Sequence, residues 1–296
     1  MSGDASYEGN HKILPLIHSE VEEKRICLKY IIAVLSTFIL CIFAGYRISC
    51  RIVRTPGFRS AKKIITAAAV SIVLMAAICF AYLEIYYAAD DNAADYLVSG
   101  NSVTVTALNS GFCFDGPGTE HAIIFFSGAK VEETAFAPLL FNIAKEGTDC
   151  FLLTLPFRMA VFKGNAPDEV LDSYRYDSWY MMGHSLGGII AARYAANHPD
   201  VTDGVILLAS YPDRELSERS RLLSIYGTND GVLDQTAYEA SKKYWPEDSC
   251  EVIIEGGNHA GFGDYGPQRG DKTALISSDE QQTQTVEAIK KYLVDY

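Results

Sequence analysis

Basic residues are scarce in this sequence relative to acidic ones. The chain has 25 Lys or Arg against 37 Asp or Glu, which gives a formal net charge of −12. Residues 1–63 carry ten Lys or Arg and five Asp or Glu, so the acidic excess lies in the rest of the chain. Binding of a nucleic acid requires Lys and Arg to replace the counterions of the phosphate backbone. We therefore expect no nucleic-acid partner.

The cysteines lack a pattern. There are seven, and no two of them form a C-x-x-C pair, the spacing that many zinc and redox sites share. Free cysteines commonly serve as small buried apolar side chains instead. We therefore expect neither a metal nor any other cofactor.

Two long stretches lack any charged residue, namely residues 30–46 and 64–83. A helix that crosses the hydrocarbon core of a bilayer needs about 20 apolar residues, with a lower limit near ~17. A signal peptide fits poorly, because the first stretch starts far from the N-terminus and a second one follows it. We predict a transmembrane hairpin in contact with the lipid bilayer, in which the first helix is at the short end of the range.

The charges around these stretches predict an orientation. The loop 47–63 holds six Lys or Arg and no acidic residue, whereas Glu84, Asp90, Asp91 and Asp95 follow the second stretch. Short basic loops remain cytoplasmic, so we expect a multi-pass protein of the cell membrane whose large domain is extracytoplasmic. Three residues oppose an external N-terminus: Lys24, Arg25 and Lys29. If the first stretch does not span, the N-terminus is inside and the large domain remains outside.

From residue 121 onward, strand-like apolar runs alternate with helical patterns, after an antiparallel lead-in over 98–115. The predicted strands are 121–128, 149–156, 178–183, 204–210, 221–227 and 250–257. The predicted helices are 132–146, 186–197, 235–245 and 279–293. This alternation predicts an α/β fold with a mostly parallel, doubly wound sheet. Functional groups in such sheets gather at the carboxyl ends of the strands.

The strand at 178–183 runs into GHSLGG, which contains the pattern G-x-S-x-G centred on Ser185. In this pattern the serine occupies a strained strand-to-helix turn, and the two glycines remove side chains that would collide with neighbouring elements. A tight-turn serine without a chemical role is the alternative. The strand before the motif and the helix after it favour Ser185 as a nucleophile.

A neutral serine needs a base, and in this arrangement the acid and the histidine follow the serine in the chain. Only His198 and His259 lie after Ser185. His198 falls at the far end of the helix, about 20 Å away at 1.5 Å per residue, where it suits the helix dipole. His259 follows the last strand, in a glycine-rich loop, and is the predicted base.

Two strands end near carboxylates that could serve as the acid. Asp230 follows the strand 221–227, one strand nearer the histidine, and Asp213 follows the strand 204–210. Asp230 is favoured, and Asp213 stays open as the alternative. Asp234 is predicted to be the N-cap of the next helix instead.

A tetrahedral intermediate requires two backbone N–H donors. One is expected from Leu186, and the other from Gly128, Ala129 or Lys130 in the loop after the strand 121–128, which could also be an ordinary turn. Four apolar residues after the strand 149–156 could line an acyl pocket or pack beneath the next helix: Phe157, Met159, Val161 and Phe162.

Six blocks carry a family resemblance: FFSGAKVEETAFAPLL, LPFRMAVFKGNAPDEV, WYMMGHSLGG, GVILLASYP, YGTNDGV and EGGNHAGFGDYGPQRGD. Over roughly residues 90–296 they resemble the α/β-hydrolase superfamily, more narrowly a bacterial group of membrane-tethered hydrolases labelled dienelactone-hydrolase-like. The resemblance implies a triad of Ser185, Asp230 and His259. Two departures are Gly128-Ala129 where the group has a glycine pair, and Ser185 where true dienelactone hydrolases use cysteine, which puts that substrate in doubt.

The expected organisation is an N-terminal tail (1–27), a transmembrane hairpin (28–83), a linker (84–98) and a catalytic domain of the α/β-hydrolase fold (99–296). The expected activity is that of a serine hydrolase of the carboxylic-ester type, which acts through an acyl-enzyme on a small-molecule, lipid or cell-envelope acyl substrate. Two alternatives share the fold, an acyltransferase with the same triad and a binding protein without catalysis.

Overall fold

The computed structural model describes residues 13–53, 61–100 and 102–294. The chain divides into two units, Met1–Glu84 and Ile85–Tyr296, which we call the helix unit and the sheet unit and describe separately. Residues 1–12 of the predicted tail and 54–60 of the predicted basic loop lie outside the described residues. The domain boundaries proposed from the sequence therefore remain predictions.

The helix unit consists of two helices, α1 (Ile13–Ile52) and α2 (Ala61–Leu83). The segments Ala33–Ile52 and Ala61–Leu83 are long and apolar enough to cross a membrane by length and composition, with mean hydropathies of 1.7 and 2.6. α1 is longer than the apolar stretch 30–46, because the residues before it include good helix formers such as Glu22, Glu23 and Lys24. These helices are the candidate transmembrane hairpin.

The two helices contact each other through small residues. A Cβ built on Gly45 would lie 2.2 Å from Ser71 Oγ, so glycine is what allows this close approach. Ser71 Oγ donates to the carbonyl of Ala67 at 2.7 Å and is 3.1 Å from that of Cys41 on the facing helix. Ser49 Oγ donates to the carbonyl of Lys63 at 2.7 Å. Small side chains and interhelical hydrogen bonds of this kind are typical of helix pairs in membranes.

The sheet unit is built on one eight-stranded sheet. The strands are β1 (Thr104–Leu108), β2 (Gly111–Asp115), β3 (His121–Phe126), β4 (Asp149–Leu153), β5 (Ser178–His184), β6 (Gly204–Leu208), β7 (Arg221–Gly227) and β8 (Ser249–Ile254). Their order is β1-β2-β4-β3-β5-β6-β7-β8. The pairs β1–β2 and β2–β4 are antiparallel and the other five pairs are parallel. The mostly parallel sheet and the antiparallel lead-in are confirmed.

Helices cover both faces of the sheet, and the strand residues alternate between two cores. Ile123 and Phe125 face the core that contains residues of α3 (Ala137–Lys145) and α7 (Ser278–Val294). Ile124 and Phe126, their neighbours in β3, face the core that contains residues of α4 (Pro167–Ser173) and α5 (Leu186–Asn197). Successive side chains of a strand point to opposite faces, so this division confirms the doubly wound arrangement.

Two predicted helices are shorter than expected, and one short α-helix was not predicted. The predicted helix 132–146 is a 3₁₀ turn, Glu133–Phe136, followed by α3, because Pro138 suits only the first turn of a helix. The predicted helix 235–245 is α6 (Gln235–Ser241) and then a 3₁₀ turn, Lys242–Tyr244. α4 was not predicted, since seven residues are too few to show a helical period.

Candidate active site

Ser185 occupies a strained turn between β5 and α5. Its φ and ψ are 53° and −126°, a conformation that non-glycine residues adopt only where the surroundings impose it. A Cβ on Gly183 would lie 2.5 Å from the carbonyl carbon of Gly187, and a Cβ on Gly187 would lie 2.3 Å from the carbonyl oxygen of Phe126. Both glycines of the motif are therefore required by backbone contacts.

Hydrogen bonds from the neighbouring strand hold this turn. The backbone N–H of Ser185 donates to the carbonyl of Leu208, the last residue of β6, at 2.9 Å. Ser210 Oγ donates to the carbonyl of Ser185 at 2.7 Å. The conformation of Ser185 is thus fixed from the β6 side as well as by its own helix.

His259 and Asp230 form a buried pair at the ends of β8 and β7. His259 Nδ1–H donates to Asp230 Oδ2 at 2.8 Å, and the two residues are 1% and 4% exposed. Asp230 Oδ1 accepts the backbone N–H groups of Val232 at 2.8 Å and Leu233 at 2.7 Å. The structure therefore brings together the histidine and the favoured carboxylate.

The charge state of Asp230 follows from these contacts. Burial alone raises the pKa of this carboxyl, but the hydrogen bond and charge of His259 and the two backbone N–H donors together lower the pKa below its ordinary value. An ionised Asp230 accepts a hydrogen bond from Nδ1–H of His259. In this tautomer of the neutral imidazole the lone pair is on Nε2. Nε2 is buried and makes no hydrogen bond to any described residue, Ser185 included.

His184 places His259 beside the serine. It immediately precedes Ser185, its Nε2–H donates to the carbonyl of His259 at 3.0 Å, and the two imidazole rings are 4.6 Å apart. Burial, and then the charge of His259, lowers the pKa of His184 to about 3. A neutral imidazole therefore joins the serine turn to the histidine loop. Catalytic hydrogen bonds are often incomplete before substrate binds.

The predicted oxyanion donors belong to two segments, the first turn of α5 and the loop after β3. Leu186 is the first residue of α5, where backbone N–H groups lack helical partners. The N–H groups of Leu186 and Ala129 donate to no backbone carbonyl among the described residues. Lys130 N–H donates to the carbonyl of Arg158 at 2.8 Å, which leaves Gly128 and Ala129 from the three candidates in that loop.

Gly128 is required by the close approach of this loop to His184. A Cβ on Gly128 would lie 2.6 Å from His184 Nδ1. The Gly128-Ala129 loop is therefore in contact with the residue that precedes the serine. Alanine in place of the second glycine of the related group leaves the backbone N–H in place.

The other sequence candidates lie apart from this cluster. Asp213 accepts from Arg193 Nε at 2.9 Å, and that hydrogen bond lowers the pKa of Asp213. Asp234 Oδ1 caps α6 by accepting from Ala237 N–H at 2.9 Å, as predicted. His198 Nδ1 bonds the carbonyl of Tyr194 at 2.9 Å at the end of α5.

The apolar segment after β4 borders the loop that contains Gly128, Ala129 and Lys130. The backbone carbonyl of Arg158 accepts a hydrogen bond from Lys130 N–H. The ring centroids of Phe157 and Phe162 are 5.6 Å apart. Val161 and Phe162 are 45% and 53% exposed. Packing beneath the next helix therefore does not account for the exposed side chains of Val161 and Phe162.

Sequence reasoning missed three residues that shape the site. His184 gave no signal because it precedes the serine, whereas the base in this arrangement follows it in the chain. Ser210 and Gln281 act through backbone hydrogen bonds, and Gln281 accepts from Asn258 N–H at 2.9 Å and donates to the carbonyl of Asn258 at 2.8 Å. Such bonds leave no periodic signal. Among the described residues, no group of three or more His, Cys, Asp or Glu side chains could hold a metal ion.

A buried His–Asp pair at adjacent strand ends, next to a serine on a strained strand-to-helix turn, defines the α/β-hydrolase class of fold and site. A family model described as "Alpha/beta hydrolase family" matches residues 122–283. This range is more than half of the chain and includes Ser185, Asp230 and His259. The chain belongs to the α/β-hydrolase family.

Solved structures with a similar fold share little sequence with this chain. A monoacylglycerol lipase from Paleococcus ferrophilus has 14% identity, with 59% of this chain and 96% of the lipase covered, at a TM-score of 0.45. Est1E from Butyrivibrio proteoclasticus has 16% identity, with 66% and 98% covered, at 0.46. A dienelactone hydrolase from Anabaena variabilis has 13% identity, with 66% and 99% covered, at 0.47. No curated protein matches the sequence.

Proposed function

We propose that the sheet unit is a serine hydrolase that cleaves an ester-type acyl bond through Ser185, His259 and Asp230. The observation that carries this proposal is the buried Asp230–His259 pair at 2.8 Å, which leaves the lone pair of Nε2 unused beside the strained serine turn. A lone pair in this place suits a base that removes the proton from a serine hydroxyl.

The proposed reaction has two half-reactions. Ser185 Oγ attacks the acyl carbonyl carbon while His259 Nε2 takes its proton, and Asp230 stabilises the resulting imidazolium. The oxyanion is stabilised by the N–H groups of Leu186 and of Gly128 or Ala129. When the intermediate collapses, Nε2 returns the proton to the leaving alcohol and the acyl-enzyme remains. Water then repeats the sequence, which releases the carboxylic acid and restores Ser185.

The test is labelling of membranes from expressing cells with a fluorophosphonate probe. The wild type is expected to be labelled and Ser185→Ala not at all. Asp230→Asn should lower the labelling rate by roughly 10²- to 10⁴-fold, whereas Asp213→Asn, the matched change at the carboxylate that pairs with Arg193, should leave it nearly unchanged. A folded wild type that is never labelled would refute the proposal and favour a binding protein. Product analysis with an added alcohol acceptor separates hydrolysis from acyl transfer.

We further propose that α1 and α2 anchor the protein in the cell membrane with the sheet unit outside. The support is the length and hydropathy of the two helices and the basic loop between them. Cys250 of the sheet unit is exposed, so an impermeant maleimide should label it in intact cells, and Cys250→Ser should lower the labelling to that of the other accessible cysteines. Labelling that appears only after the cells are lysed would place the unit inside.

A further inference from the structure

One carboxylate outside the predicted triad bridges the loops of the acid and the base. Asp271 Oδ1 accepts the backbone N–H of Gly231 at 2.9 Å, and Asp271 Oδ2 accepts the backbone N–H of Ala260 at 2.9 Å. Gly231 directly follows Asp230, and Ala260 directly follows His259. Each oxygen of Asp271 therefore accepts a hydrogen bond from the peptide N–H that directly follows one residue of the pair.

The segment around Asp271 has further bonds to both loops. Asn229 Nδ2 donates to the carbonyl of Thr273 at 2.9 Å on the Asp230 side. Asn258 Nδ2 donates to the carbonyl of Lys272 at 2.8 Å on the His259 side. We call residues 270–273 the brace, because each loop supplies one backbone and one side-chain donor to it.

The brace lies in direct contact with the acid loop. A Cβ on Gly231 would lie 2.7 Å from the carbonyl oxygen of Gly270 and 2.8 Å from the backbone nitrogen of Lys272. Glycine at 231 is thus what allows the brace to approach the peptide after Asp230. The close packing of the brace on Gly231 and the two hydrogen bonds of the Asp271 carboxylate together fix the distance between the Asp230 loop and the His259 loop.

The brace acts beyond the end of the sheet. The last paired residues of β7 and β8 are Gly227 and Ile254, and the loops remain joined as far as the bond from Asn229 N–H to the carbonyl of Gly257 at 2.8 Å. Asp230 and His259 lie past that point, where strand pairing no longer sets their separation. The Asp271 bridge joins the two loops one residue further along each, at Gly231 and Ala260.

We infer that Asp271 is a positioning residue for the triad, an inference that rests on the proposed function. Its carboxylate holds the Asp230 and His259 loops at the separation that keeps the 2.8 Å bond between Asp230 Oδ2 and His259 Nδ1, and so aims Nε2 at Ser185. A merely structural Asp271 would support folding without affecting this bond.

The experiment uses the full chain in detergent micelles and compares Asp271→Ala with Asp234→Ala. Asp234 also accepts a backbone N–H, that of Ala237 at the start of α6, and its side chain makes no hydrogen bond to the brace or to the His259 loop among the described residues, so it is the control. Two readouts are taken: the second-order rate of fluorophosphonate labelling, and the low-field proton NMR resonance of His259 Nδ1–H, assigned by its loss in His259→Gln.

Asp271→Ala should label about 10- to 100-fold more slowly, because a small misplacement of a catalytic group costs rate of that order, and its low-field resonance should broaden or vanish. Asp234→Ala should keep the rate within about twofold and retain the resonance. Asp271→Asn keeps one acceptor oxygen and should fall between them. It serves as the test variant if Asp271→Ala does not fold.

A folded Asp271→Ala with the wild-type rate and resonance would overturn the inference. Failure of the proposed function has a different signature, since the wild type itself would then not be labelled. In that case the resonance still decides whether Asp271 holds the pair, because it needs no turnover.

Discussion

Two helices of this protein have similar composition and opposite surroundings. α2 (Ala61–Leu83) and α5 (Leu186–Asn197) are both rich in alanine and isoleucine. α5 buries seven of its residues against the sheet, whereas α2 has no buried residue, and Ile65, Ile72 and Val73 are each about two-thirds exposed. Apolar composition therefore does not by itself make a core helix. What decides is whether the rest of the chain encloses the helix, and on our proposal α2 obtains the remainder of its covering from the lipid.

The largest expected effect tests whether lipid provides that covering. In the double variant Ile72→Arg with Val73→Arg, two charges at the middle of α2 should oppose insertion by about 5–7 kcal/mol, since each arginine costs roughly 2.5–3.5 kcal/mol at a helix centre. Because α1 remains as a second anchor, the readout is the side of the membrane: Cys250 should no longer be labelled by the impermeant maleimide in intact cells. Ile72→Leu with Val73→Leu is the control. Unchanged labelling of Cys250 in the arginine variant would show that α2 does not lie in lipid.

A second prediction concerns acid, to which the two apolar helical segments and the sheet unit should respond differently. Residues 33–52 and 61–83 contain no Asp, Glu or His, whereas the sheet unit buries His184 with a pKa of about 3. In the unfolded state the pKa of histidine is about 6.5. Below this pH the unfolded state therefore binds one proton more than the folded state. Stability from this residue is complete above about pH 6.5 and falls by roughly 1.4 kcal/mol per pH unit down to about pH 3.

The measurement is the free energy of unfolding of the full chain by denaturant across that pH range. His184→Gln keeps a side-chain N–H for the carbonyl of His259 and removes the titrating group. The difference in slope between the wild type and this variant isolates His184 from the other acidic groups. Equal slopes would contradict a buried neutral histidine at this position.

The smallest effect concerns how closely the sheet unit is packed. Gly187→Ala adds one methyl group that would lie 2.3 Å from the carbonyl oxygen of Phe126, a backbone atom that cannot rotate away. We expect a loss of about 1–3 kcal/mol in the free energy of unfolding, together with slower labelling of Ser185. Gly100→Ala, where nothing lies within 4 Å, is the control. Equal thermal midpoints for the two variants would refute the contact.

The parallel strands and the serine turn could be predicted because their physical causes leave a direct mark on the sequence. Strands buried on both faces appear as continuous apolar runs, and β7 (Arg221–Gly227) was predicted with its observed bounds. α5 likewise begins at Leu186 as predicted, since the motif itself marks the start of the helix. The choice of Asp230 over Asp213 as the partner of His259 followed from counting strands, and the geometry agrees with it.

Other features had no local signal. Phe157 and Arg158 both have positive φ, a conformation that sequence reasoning assigns to glycine first. His184, Ser210, Gln281 and Asp271 contribute through hydrogen bonds to the backbone of distant segments. Their partners become neighbours only when the sheet has formed, so no spacing along the chain reveals them.

The order of the sheet has a consequence for the time at which the protein can become reactive. The serine turn follows β5, whereas the acid, the base and the brace follow β7 and β8 and belong to later parts of the chain. During synthesis, Ser185 leaves the ribosome as an ordinary alcohol with no base beside it. On the proposed function, a nascent chain that stalls before residue 259 holds the serine without its base, and so reactivity is acquired at a late stage of production.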